Sequence, residues 1–276
     1  MPDQALSVGD KRRDFHKLHQ SGCFVIPNPW DIGSALFLQS LGFKALATTS
    51  SGFAWSQGHA DGGMSRDQVL AHLASMVAAT DVPVNADFES GFAREASEVS
   101  ESVRLAVATG VAGLSIEDST GDASRPLFDL ETAVERIRAA RNAIDRAGGD
   151  TMLVGRAECY LTGRNDVAET VTRLRAYASA GADCLYAPGL RSREEITAVV
   201  DAVSPKPVNV LIGSAHVLSM KDLEALGVRR VSVGGALARS AWGGFMRAAR
   251  QIAEHGSFSE FASAASGKEL NTLFQR

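Results

Sequence analysis

Two acidic clusters in this chain have the make-up of a metal site. The first is Asn85-Ala86-Asp87-Phe88-Glu89-Ser90-Gly91-Phe92, which follows Val82-Pro83-Val84. The second is Ser115-Ile116-Glu117-Asp118, which follows Ala112-Gly113-Leu114. A buried strand that ends in carboxylates delivers acceptor-only oxygens to one rim of a sheet, and hard cations such as Mg²⁺ take such ligands. One cluster alone reads more readily as a polar strand end or a helix cap. Two in neighbouring strands, with an Asp and an Arg elsewhere to join them, point to a metal-centred active site.

The Asp is Asp61, in the flexible loop Gly58-His59-Ala60-Asp61-Gly62-Gly63, where a carboxylate could reach a metal through water. The Arg is Arg156, in Gly155-Arg156-Ala157-Glu158. An Arg leaving a buried strand beside acids is either a salt-bridge partner or a fork for a substrate carboxylate or developing oxyanion. Thr48-Thr49-Ser50-Ser51-Gly52 is either an ordinary polar turn or one whose backbone amides hold a carboxylate. Asn209, inside Pro207-Val208-Asn209-Val210, is either a core hydrogen-bonder or a ligand donor.

These residues need a scaffold that brings strand ends together. Apolar β-type runs are read at Cys23 to Pro27, Lys44 to Thr49, Pro83 to Asp87, Gly113 to Glu117, Met152 to Arg156, Asp183 to Ala187, Pro207 to Ile212 and Arg229 to Val233. Helical periodicity fills the gaps, as in Val99, Val103 and Val107, or Val167, Val171 and Leu174. Glycines such as Gly42, Gly110, Gly181 and Gly227 end several of these helices. Eight βα units without a linker predict one (β/α)₈ TIM barrel domain over residues 1–276, whose chemistry sits at the C-terminal strand ends. A doubly wound sheet is the alternative, but Pro27-Asn28-Pro29-Trp30-Asp31 carries no glycine-rich dinucleotide turn after the first strand. A basic amphipathic helix is expected over Lys11 to His19. Surplus helix over Trp242 to Glu254 and Phe258 to Leu273, an extension from about residue 240, suits subunit contact.

Composition narrows the class. A net charge of −4 over 276 residues gives no footprint for nucleic acid or an anionic membrane. No secretion signal or membrane-length apolar run is seen, and Cys23, Cys159 and Cys184 have no paired spacing, so a cytoplasmic protein with reduced thiols is expected. Lys11, Lys17, Lys44, Lys206, Lys221 and Lys268 all miss the C-terminal strand ends, which argues against a Schiff-base aldolase. His59 and His216 fall in loops near the rim, while His16, His19, His72 and His255 read as solvated helix positions.

With these residues placed, the chain resembles the isocitrate lyase/phosphoenolpyruvate mutase superfamily over nearly its whole length. Asn28-Pro29-Trp30-Asp31 is similar to the family's Pro-Asn-x-x-Asp phrase, Thr49-Ser50-Ser51-Gly52 to its Ser-Gly-x-Gly turn, and Gly58-His59-Ala60-Asp61 to its Gly-x-Pro-Asp loop. Ala86 to Phe92 aligns on Ala-Asp-x-Asp-Thr-Gly-Tyr, Ile116-Glu117-Asp118 on Ile-Glu-Asp, and Gly155-Arg156-Ala157-Glu158 on Ala-Arg-x-Asp/Glu. The resemblance implies a Mg²⁺-dependent enzyme, with Mn²⁺ as a substitute, on a small carboxylate substrate. It also implies a homotetramer with the last helix exchanged. Asp87 would be the direct metal ligand, with Asp61, Glu89 and Glu117 holding its waters. Arg156 would bind the substrate carboxylate or enolate oxygen, Arg156 and Asp61 would be the catalytic residues, and Thr49, Ser50, Ser51 and Asn209 would bind substrate.

The departures bear on the reaction. Family lyases carry Lys-Lys/Arg-Cys-Gly-His after the fourth strand, whereas this chain reads Ser119-Thr120-Gly121-Asp122-Ala123-Ser124-Arg125-Pro126-Leu127-Phe128. The mutases' Lys-x-Asn-Ser version is absent too, and Pro188-Gly189 stands where lyases have Pro-Glu. A replacement acid/base is sought among Ser124, Arg125, Cys159 and Tyr186. Three readings follow: a Mg²⁺-dependent lyase or decarboxylase of 2-oxo or 2-hydroxy carboxylates, a C–P bond enzyme of phosphonopyruvate type, or a non-catalytic metabolite-binding barrel.

Overall fold

The computed structural model describes residues 6–275. Its eight strands are β1 (Phe24–Ile26), β2 (Leu46–Ala47), β3 (Val84–Asp87), β4 (Gly113–Glu117), β5 (Met152–Arg156), β6 (Cys184–Tyr186), β7 (Val208–Leu211) and β8 (Arg230–Ser232). Each falls inside or on the run expected for it. All adjacent strands pair in parallel, in the order β1-β8-β7-β6-β5-β4-β3-β2, with helices between them: a TIM barrel.

The seam between β1 and β2 is closed by one side chain in place of a ladder. The Asn28 amide donates to the Thr48 carbonyl at 2.9 Å, and its oxygen accepts from the Val233 and Gly234 amides at 2.9 Å each. The Ala47 amide adds a bond of 3.0 Å to the Pro27 carbonyl. Three strands thus meet on Asn28.

Burial divides the core into three clusters, the smallest holding Ala35, Leu38, Leu46 and Met76. A large apolar shell between strands and helices includes Val103, Leu114, Ile137, Leu153, Leu185 and Val199. A small inner cluster holds Phe15, Ile26, Ala47, Met152, Val154 and Cys184. Phe15 belongs to α1 (Val8–Leu18), which is tied across the barrel base through cations on the carbonyl ends of other helices. Arg12 donates to the Val107 and Val111 carbonyls at 2.9 and 3.1 Å, and Lys11 donates to those of Val77 and Thr80. Carbonyls at a helix end lack intrahelical partners, so these bonds satisfy groups that burial would strand. Room for Phe15 comes from Gly113, where a Cβ would lie 2.8 Å from the Phe15 ring and 2.7 Å from the Asn85 amide oxygen.

Two expectations are corrected here. His19 is buried at the end of α1 between Phe15 and Phe24, and burial pushes its imidazole down to about 3. His72 is half-buried and stacks on Phe53 at 3.9 Å, so neither is a solvated helix position. The C-terminal segment also differs. One long helix, α10 (Ala236–His255), ends at the left-handed Gly256, a 3₁₀ turn covers Ser259–Ser263, and α11 (Gly267–Phe274) starts at the Ser266 cap. Within α10 only Ala238 is buried, while Trp242, Phe245 and Met246 are exposed. Phe258, Phe261 and Phe274 beyond it are exposed as well. Among the described residues no helix is long and apolar enough to cross a membrane.

Candidate active site

β3 places Asp87 at the C-terminal rim and then turns sharply. Phe88 is fully buried and meets Phe92 edge to face at 5.1 Å, so the two rings pin both ends of the turn. Between them Glu89 (φ 48°) and Gly91 (φ 76°) take left-handed backbone, as does Phe92 itself (φ 56°). For a side-chain-bearing residue that conformation costs about 1–2 kcal/mol, and such strain is typical of functional turns. The turn sets Glu89 against β4, whose Glu117 amide donates to the Glu89 carbonyl at 3.0 Å.

Asp87 is anchored at both oxygens. One accepts from the Ser50 amide at 3.0 Å and the other from an Arg156 terminal nitrogen at 3.2 Å; its own amide donates to the Thr48 hydroxyl at 2.9 Å. The Ser50 amide, expected to be available for a substrate carboxylate, is therefore engaged by Asp87. Thr49 caps the short helix α3 (Ser50–Ser56), accepting from the Gly52 amide at 3.3 Å and contacting the Ser51 hydroxyl at 3.1 Å.

Arg156 stands among three acids. It lies 3.2 Å from Asp87, 3.3 Å from Glu117 and 2.5 Å from Glu158, with its guanidinium carbon 5.1 Å from the centre of the Tyr186 ring. Burial alone would favour loss of its proton, but Glu117 first, then Glu158 and Asp87, hold it firmly charged. The acids respond in the opposite direction. Burial and the neighbouring carboxylates raise Glu117 well above its usual range, although Arg156 pulls against them. Glu89 is pushed up to about 7 by burial and then by Asp87 and Asp61. Asp61 is raised by loss of water around its carboxyl and then by Asp87. One guanidinium is too little charge for this many acids.

Asp118 holds the rim together. Its carboxylate accepts from the Glu158 amide (2.8 Å), Arg173 (3.0 Å) and the Tyr177 hydroxyl (2.6 Å). Asp118 and Arg173 are both buried. Breaking one member of such a pair costs about 3–5 kcal/mol because a buried charge is left uncompensated. Asp118→Asn is therefore expected to lower unfolding free energy by about that amount in urea titrations, and to loosen the placement of Glu158 and Arg156. A loss below about 1 kcal/mol, the worth of an exposed pair, would count against this role.

The expected residues largely meet. Thr49, Ser50, Ser51, Asp61, Asp87, Arg156 and Asn209 line one cavity of about 180 Å³. Glu117 joins it through Arg156, and Glu89 stands next to Asp87 on the strained turn. Among the described residues no three carboxylate, histidine or cysteine side chains come close enough to hold an ion directly. The donor set nevertheless suits a hard cation: acceptor oxygens alone, crowded beyond what one Arg offsets.

The sequence reading missed Asn28, Asn85, Ser115, Arg230 and Ser232, which also line the cavity. Alternation along each strand could have marked them, since residues two apart share a face. Of the four candidates for a proton donor, only Tyr186 lines the cavity, and burial pushes its hydroxyl up to about 12. Ser124 donates to Asp122 at 2.7 Å on an exposed loop that folds on itself, with Thr120 bonded to Pro126 at 3.0 Å. Arg125 lines a separate small pocket, and Cys159 is fully buried. Gly189 (φ 102°) has no room for a side chain, since a Cβ would lie 2.6 Å from that of Tyr160.

Comparison with known proteins agrees with the barrel fold. The sequence profile of the phosphoenolpyruvate phosphomutase family matches residues 15–253. A Burkholderia cenocepacia crystal structure, provisionally described as a lyase/mutase, is 46% identical, with a TM-score of 0.94 over 98% of this chain and 97% of that one. A Mycobacterium tuberculosis protein of uncharacterised activity is 34% identical over 222 residues, 80% of this chain and 81% of its own. The 2,3-dimethylmalate lyase of Eubacterium barkeri is 29% identical over 213 residues, 74% of this chain and 72% of its own.

Proposed function

Since the chain belongs to the phosphoenolpyruvate phosphomutase family, within the isocitrate lyase/phosphoenolpyruvate mutase superfamily, we propose that it is a Mg²⁺-dependent lyase or decarboxylase of small 2-oxo or 2-hydroxy carboxylates. The observation that carries the reading is Arg156, fixed and charged among Asp87, Glu117 and Glu158 at the wall of a small cavity.

In this reading Asp87, Asp61, Glu89 and Glu117 would hold the ion, and Mn²⁺ would serve in its place. A bound divalent ion supplies Lewis-acid stabilisation of negative charge on oxygen. The chain's own residues do the rest. Arg156 fixes the substrate carboxylate and receives the charge that builds on the adjacent oxygen as the C–C bond breaks. The Thr49 to Ser51 turn closes the opposite side, and Asn209 offers an amide from the cavity wall. Tyr186 keeps its proton at neutral pH and is the group in the cavity best placed to protonate the resulting enolate carbon. The oligomer proposed with it is a homotetramer, in which the exposed aromatic residues of α10 and the segment after it are covered by neighbours.

The test is a panel of 2-oxo, 2-hydroxy and phosphono acids assayed for pyruvate-type products or phosphate, with Mg²⁺ and with EDTA. Metal-dependent release of a 2-oxo acid or CO₂ is expected. Phosphate release would move the reaction to a C–P bond. Oxalate binding without turnover of any compound would make the protein a metabolite-binding barrel.

A further inference from the structure

The barrel register sets Glu117, Arg156, Tyr186, Asn209 and Arg230 in one row, each the direct partner of the next across β4 to β8. Directly paired residues share a face, so all five point into the barrel. The row has two guanidinium groups, and they differ in one respect. Arg156 has three carboxylates; Arg230 has none among the described residues.

Arg230 is only 3% exposed and lines the same cavity as Arg156. Its Nε donates to the Asn209 amide oxygen at 2.9 Å, and one terminal nitrogen reaches the Asn85 amide oxygen at 3.4 Å. Its second terminal nitrogen has no hydrogen-bond partner among the described residues. The Asn209 amide in turn donates to the Ser232 hydroxyl at 2.9 Å, and that hydroxyl is engaged with the Tyr186 oxygen. Barrel interiors at this depth are ordinarily filled by branched apolar side chains. A buried cation held only by neutral amides is a poor choice for stability, because amides repay only part of its lost hydration.

We propose that Arg230 takes a second carboxylate of the substrate, which makes it the residue that separates dicarboxylic from monocarboxylic 2-oxo or 2-hydroxy acids in this cavity. The idea rests on the reading of Arg156 as the site of the first carboxylate. Asn209 then links the two anion positions: it is the direct partner of both Tyr186 and Arg230, and its oxygen steadies Arg230. A cavity of about 180 Å³ has room for a four-carbon diacid.

The probes are malate and 2-hydroxybutyrate, four-carbon acids that differ by one carboxylate, titrated calorimetrically with Mg²⁺ present. The wild-type protein should prefer malate by roughly tenfold or more, the worth of one charge-assisted bond in a closed site. Arg230→Gln should abolish that preference while moving 2-hydroxybutyrate affinity by less than about twofold, and Arg230→Lys should keep part of it. The melting temperature of Arg230→Met should match or exceed that of the wild type, since no ion pair is lost. Equal weakening of both ligands by Arg230→Gln, or unchanged malate affinity, would overturn the proposal. So would a wild-type protein that binds both acids equally, a result that stands even if the variants fail to fold. Absence of binding by either acid to the wild type would instead reject the underlying reading of the site.

Discussion

Asp87→Asn should lower metal-dependent turnover by on the order of 10³-fold, with the fold intact by circular dichroism. The carboxylate accepts from the Ser50 amide with one oxygen and from Arg156 with the other. An Asn side chain has one acceptor and one donor, so in either orientation its NH₂ would face an existing donor. The substitution thus removes a charge and also turns the remaining oxygen away from one of its two partners. Stability should change little by comparison, because Glu117 and Glu158 still compensate Arg156. Calorimetric titration with Mg²⁺ separates the effects: affinity should fall at least about tenfold along with turnover. Activity within a factor of three of wild type, on whichever acid the panel identifies, would remove Asp87 from the centre of the site.

The second large effect is expected from Arg156→Gln, and it should appear in stability as well as in rate. Turnover should drop by about 10²–10³-fold, as when a preorganised oxyanion donor is lost. Asp87, Glu117 and Glu158 would then lose the cation they contact, a change worth about 3–5 kcal/mol of lost stability by analogy with other broken buried pairs. The sign of its pH dependence follows from the acids that remain. Glu117, Glu89 and Glu158 already hold their protons more tightly in the fold than carboxylates do in water, chiefly through burial. A group whose folded pKa is raised contributes stability below its unfolded value and loses it as pH rises through the folded one. Without Arg156 the folded values climb further, so the deficit against wild type should be small near pH 4.5 and widen through pH 7. Urea titrations at pH 5 and pH 8 measure it. A deficit that shrinks as pH rises would mean that the acids are not clustered as described.

How much of this was legible in the chain varies residue by residue. Asp87, Glu117 and Arg156 announced themselves because each ends an apolar run, and a strand end needs only local sequence to be read. The turn at Glu89 was visible as a motif, but its left-handed backbone comes from Phe88 and Phe92 packing beneath it. His19 and His72 were misread for the same reason: helical position says nothing of what lies across the interface. The break near Gly256 was read, but Phe258 to Leu273 was taken as one helix where the structure has a 3₁₀ turn and then the separate Gly267–Phe274 helix.

Arg229 and Arg230 show where local reading stops. They are adjacent and chemically identical, yet Arg229 reaches the Gly22 carbonyl near the chain's entry to β1 while Arg230 enters the cavity. By itself the sequence determined that there are eight strands, about where each lies, and that acids and one Arg stand at strand ends, because alternation and turn chemistry are properties of near neighbours. Only the tertiary structure decided the register that lines Glu117, Arg156, Tyr186, Asn209 and Arg230 in a row, and which of the two guanidinium groups in that row has no carboxylate partner among the described residues. Register depends on how strands distant in sequence slide against one another when the barrel closes, and a slip of one residue would turn every inward side chain out.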